Sequence, residues 1–162
     1  MCMKIFILFQ FTAILAAFFP GCKVSSTSTS DKVHYENRPV VPLKEEPNHQ
    51  ATGWGRFQDF NFSKKINSKK AAAGAILFNH KCSMCHRLTE EVITGPGLKH
   101  TTQKHHPSWI LNLLTNTSEM LNKDPYLSKS AEVYQSRMPD LQINDEEAKS
   151  ILEFLRTNDA KQ

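Results

Sequence analysis

No stretch of these 162 residues alternates apolar and polar side chains for long enough to read as a strand, so a sheet-based architecture is excluded. Charge of neither sign is gathered. The formal net charge of +4 is spread along the chain, without the basic stripe that nucleic-acid binding needs, so no nucleic acid is expected as a partner. The one long apolar run, Ile5 to Phe19, extends for about fifteen residues, short for a membrane span. Cysteines number four, and no second Cys/His pair completes the ligand set of a structural zinc site. The βαβ context of a thioredoxin-like redox motif is missing as well.

What remains to explain is Cys82-Ser83-Met84-Cys85-His86. CxxCH is the pattern that fastens a c-type haem: each thiol adds across one vinyl group, and the histidine after the second thiol is held under the iron as its proximal ligand. The expected cofactor is therefore one covalent haem c, on Cys82 and Cys85, with His86 as an axial ligand. The other two cysteines have separate places. Cys2 lies at the start of the apolar segment and Cys22 ends it, which leaves none for a structural disulfide.

Lys4, the apolar run and then Pro20-Gly21-Cys22 before a polar tract have the layout of a secretory signal, residues 1–21. The Gly-Cys end resembles a bacterial lipoprotein signal, which implies lipidation of Cys22. Phe19 and Pro20 depart from the leucine and small residue usual there, and they keep ordinary cleavage or an uncleaved anchor open. Export suits the cofactor, because haem c is attached outside the cytoplasm in bacteria.

Residues 22–67 read as a lipid-anchored flexible tether: Ser25 to Ser30 is a low-complexity Ser/Thr tract, and Pro39, Pro42 and Pro47 follow without sustained periodicity. A flexible chain from Lys23 to Asn67 spans roughly 35 to 40 Å root-mean-square. Gly53-Trp54-Gly55-Arg56-Phe57, with Phe60 and Phe62, is more aromatic than a plain linker needs. It is read as a strap packed on the domain, with a partner-docking segment as the alternative.

Residues 68–162 form one small domain, whose modest core a covalent haem would enlarge. Helical periodicity runs from Lys69 to Asn79, straight into CxxCH. Pro107 opens a second helix carrying Ile110, Leu111, Leu113 and Leu114. Asp124-Pro125 starts a third, and the last covers Asp145 to Thr157, with Asn144 as cap and acidic residues at its positive end. Thr94-Gly95-Pro96-Gly97-Leu98 breaks periodicity and is a loop beside the haem. The fold class is all-α.

Taken together, residues 69–157 resemble a class I cytochrome c domain, in which a helix with CxxCH is followed by a Gly-Pro-x-Leu loop, a tryptophan-bearing helix, a Met-Pro loop and a final helix. Those parts read here as Gly74 to His86, Gly95 to Leu98, Trp109, Met138-Pro139 and Asp145 to Leu155. The stretch from Trp109 to Met138-Pro139 is similar to membrane-attached bacterial monohaem cytochromes. The resemblance implies a small cytochrome c fold packed around one haem, and a hydrogen bond from His86 Nδ1 to the Pro96 carbonyl. It implies close backbone approach to the haem at Gly95 and Gly97, and a first helix crossing the last at Gly74 and Phe78 against Phe154. Trp109 belongs to the haem environment, either donating its indole proton to a propionate or simply packing in the core. Candidates for the sixth iron ligand are Met84, Met120, Met138, His80, His100, His105 and His106; the resemblance selects Met138. Met120 reads as a core methionine and the histidines after residue 99 as loop residues.

A thioether ligand raises the potential relative to two histidines, and two filled axial sites leave only electron transfer. The expected function is a monomeric one-electron carrier, not an enzyme, anchored to a membrane on the periplasmic side. Its partners would be a redox donor and acceptor among membrane respiratory complexes. The alternatives are a haem enzyme or gas sensor with a displaceable sixth ligand, and a fixed subunit of a larger oxidoreductase.

Overall fold

The computed structural model describes residues 51–162. The expected signal at 1–21, the expected lipidation of Cys22 and the expected tether as far as residue 50 lie outside the described residues. Among those described, the elements are all helical: α1 (Ser68–Lys81), α2 (Thr101–Lys104), α3 (Pro107–Thr115), α4 (Thr117–Lys123), α5 (Pro125–Tyr134) and α6 (Asp145–Asp159). A single antiparallel bridge between His86 and Val92 is the one sheet-like pairing among them.

The helix starts follow local chemistry. The Asn67 side chain accepts from the Lys70 amide at 3.0 Å and opens α1. His106 Nδ1 accepts from the Ser108 amide, and Pro107 supplies a first residue that needs no amide partner. Asp124 caps α5 through the Leu127 amide at 3.1 Å. Asn144 and Glu147 form a reciprocal capping box on α6.

The short α2 carries no periodic signal in the sequence, and its cap comes from far along the chain. Asp159, at the end of α6, accepts from the amides of His100 and Thr102 at 3.0 and 2.8 Å and from the Thr102 hydroxyl at 2.7 Å. His100 adopts a left-handed backbone (φ 59°) to start the turn.

The crossing of α1 over α6 organises the domain. A Cβ on Gly74 would run into the Ser150 carbonyl and lie 2.9 Å from Phe154 Cβ, so only glycine lets the two backbones meet there. Phe78 and Phe154 lie beside the crossing with ring centroids 5.3 Å apart. Leu111, Met120, Ala148, Ile151 and Leu152 fill the core beneath, each at most 1 % exposed.

The folded unit begins before Ser68, which corrects the tether boundary at residue 67. Residues 51–67 lie against α3, α4 and α6 because the helices offer them specific polar partners. Asn112, fully buried on α3, accepts from the Phe57 amide at 3.0 Å and donates to the Thr52 and Phe57 carbonyls at 2.9 and 3.0 Å. Asn116 donates to the Trp54 carbonyl, and the Trp54 amide donates to Met120 Sδ at 3.0 Å. Gly53 needs its positive φ of 74° here, and a Cβ on it would lie 2.6 Å from that sulfur. Farther on, Arg156 donates to the Ser63 and Lys64 carbonyls and stacks over Phe62. Arg56 pairs with Asp145. The strap reading of the aromatic segment thus describes what these residues do: Phe57 is buried, while Trp54 is 38 % exposed.

Candidate functional site

The site grows from the end of α1. Cys82 takes the C-cap position, and its carbonyl accepts from the amides of Cys85 and His86 at 3.0 and 2.9 Å, which curls CxxCH into one tight turn. That turn brings both thiols and the imidazole to one cavity, and neither cysteine is in a disulfide. The 94–98 loop closes over the turn: the Gly95 amide donates to the Cys85 carbonyl at 2.9 Å and the Leu98 amide to the Arg87 carbonyl at 2.8 Å.

Pro96 is thereby placed to hold the imidazole. His86 Nδ1 donates to the Pro96 carbonyl at 2.8 Å, the bond the resemblance implied, and it leaves Nε2 as the ring's free nitrogen for a metal. Burial pushes the His86 pKa down, with the Pro96 carbonyl working against it, so the neutral, ligating form is favoured. Burial pushes the Cys82 thiol up; neighbouring Lys81 opposes this and Cys85 adds to it.

The glycines of the loop serve the histidine and the loop itself. A Cβ on Gly95 would stand 2.6 Å from His86 Cε1, and one on Gly97 would strike the backbone of Thr89 and Glu90. The close approaches are to the imidazole and to the neighbouring turn, and both glycines also line the cavity.

Other elements complete the cavity. Trp109, Ile110, Leu113 and Leu114 come from α3, and Ile151 and Leu155 from α6. Beyond α5, Gln135 turns left-handed (φ 50°) and ends the helix, which sends Met138 and Pro139 to the cavity. Met138 is half-buried there. Of the other methionines, Met84 is 85 % exposed, and Met120 is fully buried and engaged by the strap.

Trp109 lines the cavity, but its indole proton is taken. Nε1 donates to Asp124 Oδ2, a buried carboxylate, at 2.7 Å. His105 lies in the bend between α2 and α3, as expected of a loop residue, yet it is buried, lines the cavity and stacks on Trp109 with centroids 3.8 Å apart and planes 14° off parallel. The pairing of Trp109 with Asp124 carried no sequence signal, because capping already explained Asp124. His106 is the α3 cap and His100 the α2 cap residue.

Two free thiols, a neutral imidazole held from behind, a methionine and a mostly apolar lining are the donor set and the surroundings of a covalently attached haem. The residues present fit that group. Cys82 and Cys85 would hold it by thioether bonds and His86 Nε2 would ligate its iron.

Comparison with known proteins agrees. The family model described as Cytochrome c matches residues 71–159. The fold is similar to a solved cytochrome c from Rhodothermus marinus, 31 % identical, with a TM-score of 0.64, covering 67 % of this chain and 92 % of that one. It is also similar to an engineered form of the Rhodothermus marinus protein, 30 % identical with a TM-score of 0.62, covering 65 % of this chain and 91 % of the other. Another structure of the engineered form, bound to a carbene intermediate, is 31 % identical with a TM-score of 0.60 over 65 % of this chain and 91 % of that one. A search among curated proteins finds no match.

Proposed function

Because the chain belongs to the cytochrome c family, an electron-transfer family carrying covalent haem c, we propose that it works as a membrane-tethered one-electron carrier with His86 and Met138 as axial ligands. Its single CxxCH corresponds to one haem, and its role is electron transfer rather than catalysis. The observation that carries the axial assignment is the cavity shared by His86, fixed through Pro96, and Met138, delivered by the turn after α5.

Each residue then has a task. The Pro96 carbonyl orients the imidazole and raises its basicity. The apolar side chains of α3 and α6 exclude water, which holds down the reorganisation that accompanies a change of charge. When bound, the haem supplies the one-electron couple. Met138, a soft neutral ligand, would favour the ferrous state of a bound haem and would keep a gas or peroxide from its iron.

The finer parts of the proposal rest on the sequence. Lipidated Cys22 would anchor the chain on the periplasmic side of the envelope, and the tether would keep the domain at high local concentration near respiratory donors and acceptors. The test is the absorption spectrum of the purified haem protein, oxidised and reduced, for wild type and Met138→Ala. Wild type should show the weak methionine-to-iron band and ignore carbon monoxide, and the variant should lose the band and bind the gas. Uptake of carbon monoxide by reduced wild type would shift the reading to a sensor or enzyme.

A further inference from the structure

Asp124 is a buried carboxylate that neither haem attachment nor axial ligation uses. Both oxygens accept hydrogen bonds, Oδ2 from the Trp109 indole at 2.7 Å and Oδ1 from the Leu127 amide at 3.1 Å. Among the described residues no cation forms an ion pair with it. Both donors, Trp109 and Leu127, line the cavity, whereas Asp124 itself does not. The charged side chains on the cavity wall are the cations Lys81, Lys104 and Arg137. A single negative charge therefore stands one side chain behind that wall, offset by two hydrogen-bond donors and the N-terminal end of α5 and by no side-chain cation.

From this arrangement we propose that Asp124 sets the reduction potential of the bound haem from behind Trp109, as a positioning residue and as a fixed charge. The inference rests on the reading of the cavity as an electron-carrier haem site. Oxidation adds one positive charge to the iron, and a carboxylate in a poorly polarisable interior favours that state over the reduced one. The indole proton partly neutralises the carboxylate and at the same time fixes the ring that His105 stacks on. Capping alone does not account for the choice of residue, since asparagine caps a helix as well as aspartate does. The Trp109 bond lies on the oxygen that the cap leaves over.

Two substitutions act on the charge in opposite directions. Asp124→Asn removes it and keeps an N-cap, so the reduction equilibrium should move toward ferrous iron by roughly tenfold, about 59 mV for a one-electron couple. Asp124→Glu should return it most of the way. Trp109→Phe leaves the carboxylate without its indole donor and should move the equilibrium the other way, by several-fold. The measurement is a redox titration of the haem-loaded proteins, with thermal unfolding and the methionine-to-iron band recorded alongside. Potentials unchanged in Asp124→Asn, with or without a lower melting temperature, overturn the inference and reduce Asp124 to a helix cap. If Asp124→Asn does not accumulate as haem protein, Trp109→Phe decides: a lower potential supports the inference, and an unchanged or higher one overturns it. Failure of the carrier reading is seen separately, as a missing methionine band in wild type.

Discussion

At the scale of single residues, the site depends on contacts too close to tolerate one added carbon. In Gly95→Ala the new methyl would lie 2.6 Å from His86 Cε1, beside the Nδ1 that the bond to Pro96 holds in place. The imidazole must tilt or the loop must lift, at a cost of about 1 to 3 kcal/mol. The expected outcome is a lower melting temperature with an altered haem spectrum, both read on the purified holoprotein. Gly74→Ala meets a backbone carbonyl, which cannot swing aside, and should lose about 2 to 3 kcal/mol in chemical unfolding with the spectrum little changed. Charge acts more gently. Glu146, between Lys70 and Lys149, has its pKa drawn from 4.5 down to about 2 by hydrogen bonds and charge from those lysines. A depressed carboxylate contributes stability that is fully present above its unfolded pKa and lost as the pH falls through about 2. Unfolding curves of wild type and Glu146→Gln should therefore separate at pH 6 and converge toward pH 2, with added salt shrinking the gap because the group is exposed.

At the scale of elements, what could be read beforehand was what neighbours in sequence decide. The caps at Asp124 and Asn144, the tight turn of CxxCH and the break at Gly95-Pro96-Gly97 each depend on residues a few positions apart, and each stands where the pattern put it. The helix α2 could not be read, because four residues have no amphipathic period and their cap, Asp159, lies 57 positions away from Thr102. The strap is legible in its aromatics, but its polar partner is not, because Asn112 looks in sequence like an unremarkable residue among leucines. For Trp109 the partner is 15 residues on, beyond the reach of any helical or turn rule. Asp159→Ala tests the external cap: hydrogen exchange should quicken at residues 100–104 and α6 should stay protected, with a global loss of about 1 to 2 kcal/mol.

At the scale of the whole molecule, α3 stands between the cavity and the strap. Trp109, Ile110, Leu113 and Leu114 line the cavity, while Asn112 on the same helix holds Thr52 and Phe57. Asn112→Ala would leave three backbone partners unsatisfied, two of them buried, and should cost about 2 to 4 kcal/mol. Limited proteolysis should then cut within residues 51–67 well before it reaches the helices, and the released domain should retain its haem. The crossing at Gly74 has a different consequence, one of timing. The buried face of α1 rests on α6, so a ribosome releases the CxxCH turn some sixty residues before it releases the surface that α1 needs. During synthesis the two thiols are therefore presented on an unfinished chain, and the cleft that later encloses them is among the last parts of the domain the chain can assemble.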